Sequence, residues 1–189
     1  MRVAALYIDP IRGPYPAIPG VECWGLPERD ALGYGGPHPV VAHPPCGHWG
    51  KFASRCRQPL AEKACGPVAV AQVRRWGGVL EHPQGSALFR GLPVPGGMPD
   101  AHGGWTMLID QARWGHRAQK LTLLYFVGLA REDILPIPPP VDPPAGRCCS
   151  TGRYATAFEW LPKTQRHLTP PAFAAWLVET ARRCERPTP

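Results

Sequence analysis

Short apolar runs alternate along this chain with segments broken by proline and glycine. Residues 3–8 (Val-Ala-Ala-Leu-Tyr-Ile) predict a first strand. The following Asp9-Pro10-Ile11-Arg12-Gly13-Pro14-Tyr15-Pro16 must be loop, since its prolines lack the amide hydrogens a helix needs. Residues 40–42 predict a second strand, closed abruptly by His43-Pro44-Pro45-Cys46. Residues 60–76 have helical spacing, with Ala64, Val68, Ala71, Val73 and Trp76 toward the inside and Lys63, Gln72, Arg74 and Arg75 toward solvent. Gly66-Pro67 marks a restart of that helix and Gly77-Gly78 its end. Residues 79–83 predict a third strand, followed by a short helical segment at 86–89 and an irregular loop from 91 to 104. Residues 105–111 predict a further strand. Residues 120–128 are β-prone and apolar on both sides, as in the middle of a sheet. The last element is a helix begun by Thr169 as cap, with Pro170 in its first turn and Arg182 and Arg183 in its last.

Strands alternating with helical segments predict an α/β fold, a mostly parallel sheet flanked by helices, with ligands gathering at the carboxyl ends of the strands. The expected organisation is a single domain over 1–189: a core at 1–135, a proline-rich and irregular segment at 136–168, and the helix at 169–184. The 44% hydrophobic content is ordinary for a globular chain, and there is no internal repeat. The first apolar run is too short for a signal peptide and no stretch approaches a membrane span, so the expectation is a soluble, cytoplasmic protein. The seven cysteines, Cys23, Cys46, Cys56, Cys65, Cys148, Cys149 and Cys184, form no regular framework and read as reduced thiols. A formal charge of +7 favours an acidic partner such as nucleic acid, although scattered arginines also arise from composition alone. Basic residues cluster at 51–57 and 113–120.

The double proline gives this pattern its chemistry. It delivers Cys46 on a rigid loop at a strand end, where α/β proteins carry reactive groups. Glu81-His82-Pro83 repeats the design on the next predicted strand. Each residue has a plainer reading as well. Cys46 reads equally as a buried structural thiol, Glu81 as a cap, Asp9 as a turn former, and His82 as packing beside Pro83. His43, Cys46 and His48, with Cys23, Cys148 or Cys149, also suggest a zinc site, against which stands the lack of any Cys-x-x-Cys pair.

Pro44-Pro45-Cys46, then Gly78-Val79-Leu80-Glu81-His82-Pro83, then Gln111-Ala112-Arg113-Trp114-Gly115 leading into Lys120-Leu121-Thr122, together resemble the catalytic half of DNA cytosine-C5 methyltransferases of the compact phage type. In that family the acid lies in Glu-Asn-Pro, so His82 stands where asparagine is expected, and Gly115 stands where a second arginine is expected. The resemblance spans residues 40–128 and implies a truncated Rossmann-like methyltransferase fold. It implies that Cys46 adds as a thiolate to cytosine carbon 6, and that Glu81, with a raised pKa, protonates ring nitrogen N3. It further implies that Gln111 and Arg113 steady the base and the cysteine loop. Arg55, Arg57, Arg117 and Lys120 would hold the backbone of DNA presented as a flipped base or single strand. The methyl donor would be S-adenosylmethionine, held by Asp9, Gly13 and Pro44 with Glu22 or Asp30, yet no glycine-rich loop follows the first strand. Dimerisation could complete such a short cofactor half. Three readings follow: a cytosine-modifying enzyme, a catalytically silent methyltransferase-like nucleic-acid binder, and a zinc protein.

Overall fold

The computed structural model describes residues 1–140, 146–147 and 159–187. Its centre is a six-stranded sheet in the order β2-β1-β3-β4-β7-β5, built from β1 (Val3–Leu6), β2 (Val21–Trp24), β3 (Val40–Ala42), β4 (Gly78–Pro83), β5 (Trp105–Asp110) and β7 (Leu121–Val127). The pairs β1 with β2, β1 with β3, and β3 with β4 are parallel. The last inserted strand, β7, runs antiparallel to both of its neighbours, β4 and β5. The mixed α/β fold expected from the alternation is therefore present, with its parallel part confined to the first four strands. A small ribbon of β6 (Ala118–Gln119), β8 (Gly146–Arg147) and β9 (Glu159–Trp160) lies apart from the main sheet.

Side chains alternate across the strands, so each face of the sheet builds its own core. Val3, Ala5, Val41, Val79, Leu124 and Phe126 face α3 (Pro171–Arg183), which contributes Phe173, Ala174, Leu177, Val178 and Ala181. Ala4, Leu6, Val40, Ala42, Leu80 and Val127 face α1 (Cys65–Trp76), which contributes Ala69, Val73 and Trp76. The short α2 (Lys163–Arg166) precedes α3.

Several expectations change here. The first strand stops at Leu6, because Tyr7 takes a left-handed backbone (φ 59°) that ends the ladder. The fifth strand stops at Asp110, whose side chain accepts from the Ala112 amide and begins a one-turn helix through Trp114. The segment before α1 is a 3-10 turn, Leu60–Ala64, and the α-helix starts at Cys65. Ala64, in that turn, and Ala71, on the helix, are exposed, whereas Gln72, expected in solvent, is buried. Its amide joins the Tyr7 hydroxyl (2.9 Å) to the Ala31 carbonyl (2.7 Å), which offsets the cost of burying it. Thr169 is not the cap of α3. Pro170 holds that position and no side chain caps the helix, Pro171 filling the first turn where an amide hydrogen would have no partner.

Strand β2 has no counterpart among the expected elements. Its connection from β1 has one 3-10 turn, Tyr15–Ala17, in place of a crossover helix. That turn buries Tyr15 in the α3-side core. Among the described residues no helix is long and apolar enough to cross a membrane.

Candidate active site

Parallel strands deliver their carboxyl ends to one edge, and the two antiparallel strands add to that edge the start of β7 and the end of β5. His43 follows β3 and Glu81 lies in β4; Thr122 is near the start of β7 and pairs with Pro83 and Ile109, while Gln111 follows β5. Their positions have the parity of Val41, Val79, Leu124 and Ile109, so all four side chains emerge on the α3 side, where Tyr15 is buried.

There they form one hydrogen-bonded chain. Glu81 Oε2 meets His43 Nδ1 at 2.8 Å, and His43 Nε2 meets the Tyr15 hydroxyl at 2.5 Å. Gln111 Nε2 donates to Glu81 Oε1 at 3.1 Å and to Thr122 Oγ1 at 2.9 Å, and Thr122 donates to the Lys120 carbonyl at 3.2 Å. Gln111 is 1% exposed and its Oε1 has no partner. The His43 and Glu81 side chains keep 12% and 11% of their exposure, so neither is wholly sealed from solvent.

This geometry overturns the expected protonation of Glu81. Burial alone would push its pKa up, but the hydrogen bond and charge of His43, with the charges of Lys120 and His82, outweigh it and hold the carboxyl down to about 2. Glu81 is thus an ionised acceptor at neutral pH and not a proton donor. Tyr15 moves the opposite way, well above the ordinary tyrosine range, because burial and the nearby Glu81 charge both disfavour phenolate.

His82 points to the other face, stacked near Phe89 with ring centroids 6.5 Å apart. Burial pushes its pKa down to about 4, against the opposing charge of Glu81, so it is neutral. The carbonyls of Pro44 and Pro45 act on its charge, yet neither ring nitrogen has a partner in hydrogen-bond geometry.

The Pro44-Pro45-Cys46 loop leaves the same edge. Pro44 is buried and Cys46 half-buried, and the Cys46 carbonyl accepts from the amides of Trp49 (3.1 Å) and Gly50 (2.7 Å), closing a turn directly after the thiol. A Cβ on Gly47 would fall 1.7 Å from Oε1 of the exposed Gln58 side chain and 2.8 Å from Cys56 Sγ, so these side chains pack directly on the glycine. The loop is pinned from outside as well: the Trp49 indole donates to the Lys63 carbonyl (3.1 Å), and the Trp49 carbonyl accepts from the Ala87 amide (2.7 Å). Cys46 lies three positions after His43, a reach of at most about 11 Å.

Other candidates lie around this centre without joining the chain of hydrogen bonds. Arg113 is half-buried and donates to the Pro138 carbonyl (3.0 Å), which ties the turn after β5 to the proline-rich crossing. Arg117 bonds Gln165 Oε1 (2.8 Å) and Lys120 Nζ bonds the Leu168 carbonyl (3.0 Å). Arg55 and Arg57 are exposed on the loop following Cys46.

The front of the chain does not fit S-adenosylmethionine in the expected way. Asp9 Oδ1 accepts from the amides of Ile11 and Arg12, and the Gly13 amide returns to the Asp9 carbonyl. A Cβ on Gly13 would strike that same carbonyl at 2.5 Å, so this glycine serves its own turn and opens no cradle. Glu22 pairs with Arg29 at 2.6 Å, and Asp30 accepts from the Leu32 amide. No helix N-terminus follows β1 to receive a cofactor.

The described members of the zinc set do not converge. His43 is committed to Glu81 and Tyr15, and His48 Nε2 to the Pro59 carbonyl. Cys148 and Cys149 lie outside the described residues, among which no three metal-ligating side chains converge. Cys23, Cys46, Cys56, Cys65 and Cys184 are in no disulfide.

Sequence reasoning paired Glu81 with Gln111 and missed His43, Tyr15 and Thr122 as members of the same network. The one available signal was parity: His43 continues the inward phase of Val41, two residues earlier. No family model matches the chain, and no curated protein or solved structure matches it significantly.

Proposed function

We propose that this protein modifies a pyrimidine base of DNA at carbon 5 through a covalent adduct of Cys46 at carbon 6, the chemistry implied by the resemblance to cytosine-C5 methyltransferases. The observation that carries the reading is the Glu81–Gln111 hydrogen bond, which joins two of the three resembling segments at the edge where the third presents Cys46. In such a reaction the thiolate adds to carbon 6 and carbon 5 becomes the nucleophile. On this reading the fold is a shortened Rossmann-like methyltransferase sheet, and Arg55 and Arg57 beside the thiol loop meet the phosphate backbone. The turn at Asp9 and Gly13 does not fit S-adenosylmethionine, so no step is routed through that donor.

A donor-free test follows from the adduct itself. Addition at carbon 6 makes the carbon 5 hydrogen exchangeable, so single-stranded DNA incubated with the protein in D2O gains deuterium at pyrimidine carbon 5. The gain is expected to vanish in Cys46→Ser while the circular dichroism spectrum stays unchanged. Exchange that survives Cys46→Ser would remove the thiol from the chemistry.

A second reading, a silent nucleic-acid binder, draws on the same Asp9 and Glu81 contacts, since one carboxylate closes its own turn and the other is held by two side chains. Salt-sensitive DNA binding with no exchange on any pyrimidine would establish it.

A further inference from the structure

The direction of every hydrogen bond around Glu81 can be assigned from the donors available. Thr122 donates its only hydroxyl hydrogen to the Lys120 carbonyl, so its oxygen must accept from Gln111, and the Gln111 amide nitrogen therefore faces inward. That same nitrogen reaches Glu81 Oε1. Reversing the amide would set Gln111 Oε1 against a carboxylate oxygen, so the network admits one orientation. On the other side, the buried Tyr15 hydroxyl donates its hydrogen to His43 Nε2, which leaves Nδ1–H of the neutral ring to donate to Glu81 Oε2.

Both carboxylate oxygens thus receive hydrogens from the protein, and each keeps one lone pair. Beside them lies the Gln111 carbonyl oxygen, buried and without a partner. The site offers acceptors at the position where the family resemblance demands a donor. The lowered pKa of Glu81 agrees with this polarity.

Resting on the proposed Cys46 chemistry, we infer that the base accepted at Glu81 carries a hydrogen on ring nitrogen 3, as uracil does, in contrast to the bare nitrogen of cytosine. With uracil, the Cys46 Sγ–C6 bond forms as the thiol proton leaves to solvent, and the C5–C6 π pair moves through C4 onto O4. N3 keeps its hydrogen throughout and donates it to Glu81. The pair on O4 then returns through C4 as carbon 5 takes a deuteron from D2O; the original carbon 5 proton leaves to solvent, and the re-formed enolate expels the thiolate from carbon 6, restoring the C5–C6 double bond. With cytosine the same pair ends on N3, which needs a proton that an acceptor-only Glu81 does not hold.

The test compares two pools of single-stranded DNA with randomised flanks around one deoxyuridine or one deoxycytidine, with dUMP and dCMP as free-nucleotide arms. Deuterium gain at carbon 5 is read by mass spectrometry on the unmodified protein. The expected result is exchange at least 10-fold faster at uracil than at cytosine, with the ratio narrowing in Glu81→Gln, whose amide can also donate. Equal or faster exchange at cytosine overturns this inference and leaves the Cys46 proposal standing. No exchange in any arm overturns both.

Discussion

His43 and Glu81 stand 38 residues apart in the chain, and their Nδ1 and Oε2 atoms lie 2.8 Å apart at the carboxyl edge of adjacent parallel strands. The contact keeps a buried carboxyl ionised and, through His43, ties it to Tyr15. Breaking it with His43→Ala leaves the carboxylate one donor short. The expected loss is about 1.5–3 kcal/mol of unfolding free energy, as for hydrogen bonds to charged groups, measured by urea denaturation at pH 7. Tyr15→Phe removes one neutral hydroxyl contact and should cost only ~1 kcal/mol. An equal cost for the two variants would mean that Glu81 is not held by His43.

Acid should destabilise the protein in two stages. His82 has a folded pKa of about 4 against an ordinary 6.5, so between these values the unfolded chain binds a proton that the folded chain refuses, and stability falls as pH drops. Glu81, held near 2 against 4.5, contributes stability that is present above 4.5 and lost as pH falls from there toward 2. Denaturation midpoints measured from pH 8 to pH 3 should show both declines. His82→Leu should flatten the first and leave most of the second, because it removes the buried nitrogens and only the last of the influences that hold Glu81 down, while His43 stays in place.

Gly78 opens β4 at φ 121°, and a Cβ there would fall 2.0 Å from the Val40 carbonyl across the β3–β4 pairing. Gly78→Ala should therefore cost more than ~3 kcal/mol, since both the backbone conformation and the strand contact oppose it. Gly91 has nothing within 4 Å of a built Cβ. Gly91→Ala should leave the melting temperature within a few degrees. Thermal melts of the two variants side by side check the contrast.

If Arg55 and Arg57 meet phosphates, replacing both with alanine should weaken DNA binding and make log K fall less steeply with log salt, by about 0.9 in slope for each phosphate no longer neutralised. Fluorescence anisotropy from 50 to 300 mM salt reads this directly. Weaker binding with an unchanged slope would place the two arginines off the nucleic acid.

Periodicity and punctuation were enough to locate most strands, the C-terminal helix and the loop that carries Cys46, because apolar alternation and prolines act within a few residues. They missed β2, whose half-buried Val21–Trp24 has no strong apolar contrast. They also placed Gln72 of α1 in solvent, since the partners that bury it, Tyr7 and Ala31, come from distant segments. The resemblance placed Cys46, Glu81 and Gln111 in order along the chain. Only the tertiary structure decided that Glu81 is an acceptor, because its charge state is set by His43 and Lys120, neighbours in space contributed by residues flanking other strands. Residue type, spacing and chain breaks are local properties that a sequence carries by itself. The polarity of a buried hydrogen-bond network belongs to the packing of the whole sheet.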